Sequence, residues 1–202
     1  MSHTPQQARS RETRRKLLDS AISTLSHHGA ADTTVSAVAV GAGVSRGAAQ
    51  RHFPPRDVLI EETVAEFYSR LTHQLRRAVA DLGTPPGGSP TVEVMELVFD
   101  SFTSDSFRAA LHVWSAAAGS EGDLRELIVS VDSRYAREVQ QLMAIALDAD
   151  LLDPPTRELL RMTVDLARGL GLGAVLVDNS DQRRRTVDRW SSMLDAGLAR
   201  NN

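Results

Sequence analysis

The residues with the clearest potential for chemistry lie between Thr33 and Phe53, in the segment TTVSAVAVGAGVSRGAAQRHF. Arg46 can form a forked pair of hydrogen bonds with guanine, and Gln50 can pair bidentately with adenine. Arg51 and His52 follow them and are placed to contact phosphates, which position a protein on DNA without specifying sequence. The segment therefore has the side chains needed to bind DNA and to read base edges.

Two short helices separated by a tight turn are predicted to position these side chains. The hydroxyl of Thr34 can cap the first helix, and Gly43 can end it in the left-handed conformation at little cost. Ser45 can cap the second helix, which runs to His52 and has almost no apolar side chain apart from two alanines. Such a helix faces outward, as does the second helix of a helix-turn-helix, which enters the major groove. An ordinary helical hairpin is the alternative that this segment alone leaves open.

The longer run from Arg14 to Leu59 helps to decide between a helix-turn-helix and an ordinary helical hairpin. It contains, in order, a basic start followed by LLDSAISTL, a break at Gly29, and the pieces TTV, AGVSRGA and HFPPRDVL. With these pieces in this order, the run resembles the N-terminal domain of the TetR family of bacterial transcription regulators. The resemblance implies a DNA-binding domain whose partner is a double-stranded DNA operator.

The chain departs from the family pattern in the second helix. Relatives usually carry Thr-aliphatic-Tyr where this sequence has Ala48-Ala49-Gln50, so a hydroxyl and a ring that could contact phosphate and thymine methyl groups are absent. The usual contacts and the operator sequence are therefore not carried over. The residues expected to contact DNA are Arg14, Arg15, Lys16, Thr34, Ser45, Arg46, Gly47, Ala48, Gln50, Arg51, His52 and Arg56.

Charge is distributed unevenly along the 202 residues. Residues 1–56 contain eight Arg and Lys against three acidic residues, a net +5, and because the whole chain carries −3 the remainder carries −8. A basic N-terminal region on an acidic body fits a domain that neutralises phosphates. Residues 1 to about 10 lack periodicity, which predicts a disordered arm in front of the first helix.

Composition also argues against several kinds of site. The chain has no cysteine, which excludes disulfides and thiolate metal sites, and the adjacent His27 and His28 point to different sides of a helix. We therefore expect no metal and no cofactor. No signal peptide is visible, and the most apolar run, Gly169 to Val177, is shorter than the roughly 20 residues that span a bilayer. These features predict a cytoplasmic protein with no membrane partner.

Helical periodicity continues through the rest of the chain, without a strand pattern of useful length. The sequence predicts an all-α protein of about nine helices. Its N-terminal three-helix helix-turn-helix domain, residues 1–56, is joined to a C-terminal helical ligand-binding and dimerisation domain, residues 57–202. A helix from Asp57 to about Leu82 is the expected link, and GTPPGGSP, from Gly83 to Pro90, is expected to be a flexible loop.

The second domain contains more large, adaptable side chains than a minimal helical core needs. Core packing explains each of them individually, whereas the TetR resemblance implies an inducer cavity in this domain. The expected effector is small and mainly apolar or aromatic, because these faces carry no concentrated charge. The residues expected to line the cavity are Met95, Phe99, Phe102, Trp114, Ser115, Tyr135, Met143 and Met162.

The last two helices are expected to form the interface of a homodimer. Gly169 and Gly173 would let another helix approach closely, although the same spacing also serves packing within one chain. In the resembling family, the final two helices of each protomer form a four-helix interface. The interface residues expected here are Leu166, Gly169, Leu170, Gly173, Val177, Val187, Trp190, Leu194 and Leu198.

The leading interpretation is a homodimeric transcriptional regulator, more specifically a repressor released from a palindromic operator by a small molecule. A DNA-binding dimer without an effector is the first alternative, and an all-helical carrier or enzyme is the second. Enzymatic activity is not expected, because the six histidines are scattered and no carboxylate pair is sharply placed. The sequence leaves open the effector, the operator and the regulated genes.

Overall fold

The computed structural model describes residues 5–82, 90–119 and 122–199, and every regular element in these ranges is an α-helix. The predicted all-α class is confirmed. No helix in the described ranges is long and apolar enough to cross a membrane. The expected loop falls largely on residues 83–89, which lie outside the described residues. The helices of the described residues are α1 Pro5–Asp32, α2 Val35–Gly41, α3 Arg46–His52, α4 Arg56–Ala80, α5 Pro90–Thr103, α6 Asp105–Ala118, α7 Asp123–Ala146, α8 Pro154–Ala174 and α9 Ser180–Ala199.

The helices group into two compact units. The first unit contains Met1–Ser69 and Ala109–Val131, and the second contains Arg70–Arg108 and Asp132–Asn202. Helices α4, α6 and α7 therefore each contribute residues to both units. A domain boundary after residue 56 remains a prediction, whereas the packing keeps the first half of α4 with the helix-turn-helix.

Helix α1 begins at Pro5, so the predicted disorder is wrong for residues 5–10. Arg15 forms ion pairs with Glu12 at 2.7 Å and with Asp19 at 3.2 Å, one turn to either side. Ion pairs at these spacings stabilise a helix even where no core contact is available. Residues 1–4 of the expected arm lie outside the described residues.

The core of the first unit joins α1, α2, α3 and the start of α4. Its buried members are Leu17, Leu18, Ala21, Val38, Ala39, Ala49, Phe53 and Leu59. Phe53 follows α3 and Leu59 lies in the first turn of α4, so one cluster fixes both the end of α3 and the start of α4. The apolar stripe of α1 supplies the opposite wall of this cluster.

In the second unit, α5 packs against α8 and α9. A Cβ atom at Gly171 of α8 would overlap the carbonyl oxygen of Phe102 and would lie 2.9 Å from Cε1 of Phe107. The absence of a side chain at Gly171 therefore permits the close packing of α8 on α5. By contrast, a Cβ at Gly169 would meet no heavy atom of the described residues within 4 Å, so their packing does not require a glycine there.

Replacing Gly171 by alanine is expected to lower the free energy of unfolding by about 1–3 kcal/mol, because the added methyl group meets backbone that must shift. Gly197→Ala is the matched control. Its methyl group would meet Cδ1 of Leu159 at 2.6 Å, the end of a side chain that can rotate away. Urea unfolding followed by circular dichroism compares the two variants. Equal losses of unfolding free energy would contradict the conclusion that close packing of α8 on α5 requires a glycine at position 171.

Candidate nucleic-acid interface

The helix-turn-helix consists of α2, α3 and the turn between them. Oγ1 of Thr34 accepts a hydrogen bond from the backbone N–H of Ala37, and Oγ of Ser45 accepts one from that of Ala48, both at 3.2 Å. Both hydroxyls therefore cap helices, as the sequence predicts. Gly43 adopts φ +65° in the turn, a conformation that favours glycine.

Sequence reasoning missed two hydrogen bonds, one at the end of α1 just before α2 and one that joins α2 to α1. Thr33 is fully buried and donates its hydroxyl proton to the carbonyl oxygen of Gly29 at 2.8 Å. Ser20 of α1 donates to the carbonyl oxygen of Val38 at 3.0 Å, and a Cβ at Gly41 would overlap the Ser20 hydroxyl. The Thr33 bond is local and spans four residues, whereas the contact of Ser20 with Val38 joins residues 18 apart in sequence and depends on α2 crossing close to α1.

Helix α3 presents a polar face to solvent. Ala49 is completely buried, and Ala48 and His52 are half-buried. The exposed residues of the helix are Arg46, Gly47, Gln50 and Arg51. The side chains with base-reading chemistry are therefore free to contact a partner while the helix remains packed.

The basic residues expected to contact DNA differ in whether the protein already neutralises them. Lys16, Arg46 and Arg51 are exposed and form no ion pair with the described residues. Arg15, by contrast, is held by the carboxylates of Glu12 and Asp19. A cation without a protein partner contributes most to the free energy of binding when it contacts a phosphate. Lys16, Arg46 and Arg51 are therefore better suited to bind DNA than Arg15.

Arg14 and Arg56 also have partners within the first unit. Arg14 forms an ion pair with Glu62 of α4, and its guanidinium carbon lies 5.6 Å from the ring centroid of Phe53. Arg56 donates a hydrogen bond to the carbonyl oxygen of Ala30 at the end of α1. Both arginines therefore join helices of the first unit.

The residues expected to line an effector cavity are divided between the two units. The members in the second unit that are fully or almost fully buried are Met95, Phe99, Phe102, Tyr135 and Met143. Met162 is 42% exposed on α8 and is not among these core residues. Burial raises the pKa of the Tyr135 phenol, although its hydrogen bond to Ser101 acts in the opposite direction.

Trp114 and Ser115 lie in the first unit. The indole N–H of Trp114 donates to the hydroxyl of Tyr68 at 2.9 Å, which links α6 to α4 within that unit. Ser115 is exposed. The polar tips that made these two residues candidates are therefore not both directed into one buried site.

A groove of about 280 Å³ lies in the second unit, between α5 and the start of α9. It is mainly polar, and Arg183 forms an ion pair with Asp100 at its edge. Phe99 is the one expected cavity residue that contributes to its wall. The groove is lined by Glu96, Phe99, Asp100, Ser180, Arg183, Arg184 and Val187.

The residues expected at a homodimer interface also separate into two groups. Leu170, Val187 and Leu194 are buried within the chain itself, because α8 and α9 pack on α5 and on each other. Trp190 is half-buried and donates its indole N–H to the hydroxyl of Thr163 at 2.9 Å. The members that are at least partly accessible are Leu166, Gly169, Gly173, Val177, Trp190 and Leu198.

Lys16 and Arg15 provide a matched test of the DNA-facing surface. We expect Lys16→Ala to reduce the slope of log affinity against log salt by about 1, because an unpaired cation is lost from the phosphate contacts. Arg15→Ala should change this slope much less, because Arg15 is already paired with two carboxylates. Equal changes in the two variants, measured by fluorescence anisotropy with a DNA duplex, would contradict the distinction.

Comparison with known proteins agrees with this geometry. The profile of the family described as "Bacterial regulatory proteins, tetR family" matches residues 17–63, which include α2, α3 and most of α1. The HTH-type transcriptional regulator BetI of Brucella anthropi is 30% identical over 135 residues, 67% of this chain and 67% of that protein. The match therefore extends well beyond the helix-turn-helix.

Two solved structures share the fold. A transcriptional regulator from Rhodococcus has a TM-score of 0.67 at 18% identity, covering 91% of this chain and 96% of that one. A putative regulator from Saccharomonospora viridis, in complex with choline, has a TM-score of 0.66 at 17% identity and covers 89% and 95% of the two chains. Together with the sequence match to BetI, these features establish that the chain belongs to the TetR family and is a transcriptional regulator rather than an enzyme.

Proposed function

We propose that the protein is a homodimeric repressor that binds a palindromic operator through α3 and is released from it by a small-molecule effector. The observation that carries this proposal is the exposed face of α3, which is fixed by its cap and by Phe53. On this face Arg46 and Arg51 flank Gln50, and neither arginine has an ion-pair partner in the part of the chain that the structure describes. DNA supplies both the phosphates and the base edges that these side chains can bind. Such a regulator acts in the cytoplasm, where bacterial DNA lies.

The proposed dimer uses the exposed C-terminal end of α8 and the turn that follows it. Four apolar residues in this region have exposed fractions between 43% and 84%: Leu172, Val175, Leu176 and Val177. A second copy of the chain would remove this apolar surface from water, at roughly 25 cal/mol per Å² buried. Two-fold symmetry would then place two α3 helices about 34 Å apart, the spacing of successive major grooves.

An effector is proposed to act by stabilising a conformer that no longer fits the operator. Met95, Phe99 and Met143 are nearly inaccessible, so a ligand that reaches them must displace side chains of the second unit. A ligand that binds an opened conformer more tightly lowers operator affinity by the ratio of its two affinities. The regulator in complex with choline supports small-molecule binding in this fold, and the apolar core favours a small, mainly apolar or aromatic effector here.

Selection from a pool of randomised DNA duplexes tests the proposal. The native chain is expected to enrich a two-fold symmetric motif whose half-sites lie about 10 base pairs apart. Leu176→Glu should elute as a monomer in size-exclusion chromatography with light scattering and should lose the symmetric motif, because it places a carboxylate in the apolar interface.

Leu152→Glu is the control, because Leu152 is 86% exposed and Leu176 is 84% exposed, so both variants add one charge to an exposed leucine. Leu152→Glu should elute at the same molecular size as the native chain and should enrich the same symmetric motif. A native chain that is monomeric, or that enriches no motif, would contradict the proposal. A compound that raises the melting temperature without weakening binding to the enriched duplex would be a ligand but not the proposed effector.

A further inference from the structure

Gly47 in α3 has no explanation within the chain. Its backbone is not left-handed, unlike that of Gly29, Gly43 and Gly122, so no turn requires glycine there. A Cβ atom at Gly47 would meet no heavy atom within 4 Å, so no close contact within the described residues requires it. Glycine is also a poor helix former. The fold would therefore accept an alanine at this position.

The position of Gly47 on the helix indicates what excludes a side chain. Residues of an α-helix are separated by about 100° around the axis, and buried Ala49 marks the inward side, with Phe53 beyond the helix end close to it. The point opposite Ala49 falls between Gly47 and Arg51, about 20° from each, and Gln50 lies roughly 60° from Gly47 on the other side. The observed exposure of all three residues agrees with this arrangement. Gly47 and Arg51 thus share the side of α3 that faces away from the protein core.

We propose that Gly47 is a positioning residue that lets α3 approach the floor of the major groove. An α-helix with its side chains is about 10–12 Å wide, and the major groove is about 12 Å wide, so there is little clearance. A Cβ atom and side chain at Gly47, close to the helix axis, would hold the backbone of α3 away from the base edges. Their absence allows the longer side chains of Gln50 and Arg51, on either side, to reach them.

This inference rests on the proposed reading of DNA by α3, and it adds a role for Arg51. The sequence alone assigns Arg51 to phosphates, whereas its place beside the outermost point of α3 puts it next to the base edges. Arg46 lies about 100° from Gly47 and so flanks the reading face. The proposed base-reading set is therefore Gln50 and Arg51, with Arg46 beside Gln50 at the edge of the reading face and Gly47 setting the depth of the helix.

The variants Gly47→Ala and Gly47→Val test the proposal in anisotropy titrations with the symmetric duplex enriched by the native chain and with a random duplex. Affinity for the enriched duplex should fall about tenfold or more for alanine, and further for valine, because bidentate base contacts are weakened. Affinity for the random duplex should stay within about twofold, because phosphate contacts tolerate a slightly raised helix. The melting temperature of Gly47→Ala should be equal to or above that of the native chain.

Gly119→Ala is the control, since it adds the same methyl group to an exposed glycine whose nearest neighbour would be 3.8 Å away. It should leave both affinities and the melting temperature unchanged. Native-like affinity of Gly47→Ala for the enriched duplex would overturn the inference. A loss of affinity that follows the fall in melting temperature, rather than the size of the added side chain, would also overturn it. If the native chain enriches no duplex, both the proposed function and this inference are wrong.

Discussion

The structure of the DNA-binding unit depends on the packing of Phe53 and Ala49 against α1. Ala49 is the one buried residue among the seven of α3, so the helix has too little apolar surface to hold its own position. Phe53, at its end, enters the cluster formed by Leu17 and Leu18, and Ser45 caps its start. Because the helix is fixed at both ends and at one internal residue, the rest of its surface is available for polar chemistry. Outward basic side chains and a stable fold are therefore compatible in a helix of two turns.

The parts of this site that could be predicted from sequence are those that depend on local structure. The caps at Thr34 and Ser45 and the left-handed turn at Gly43 follow from residue type and position, and the structure contains them. The pairing of basic residues could not be predicted in the same way. Arg14 meets Glu62, which is 48 residues away in sequence, and only the folded chain brings them together. Charge counting therefore identified a basic region but could not separate cations that link helices from cations that remain free.

In the second unit, the sequence likewise does not show which apolar residues are covered when the chain folds. Helical periodicity predicted apolar faces on α8 and α9, but it could not tell which residues the chain itself covers. Val187 and Leu194 are buried by neighbouring helices, whereas Leu176 and Val177 stay exposed. The glycine needed for close packing is Gly171, since its neighbour is the backbone of α5, a contact that spacing along one helix cannot predict.

The central claim is that the exposed face of α3 distinguishes one DNA sequence from another. Its most direct test compares the Arg46→Ala, Gln50→Ala double variant with Arg137→Ala, Gln141→Ala, which removes the same two residue types at the same spacing from the exposed face of α7. Anisotropy titrations at two salt concentrations, with DNA from upstream of the protein's own gene and with a random duplex, measure the preference. If α3 reads the DNA sequence, the α3 variant loses its preference for the upstream DNA while the α7 variant keeps it. Equal preference in both variants would show that α3 does not read the sequence.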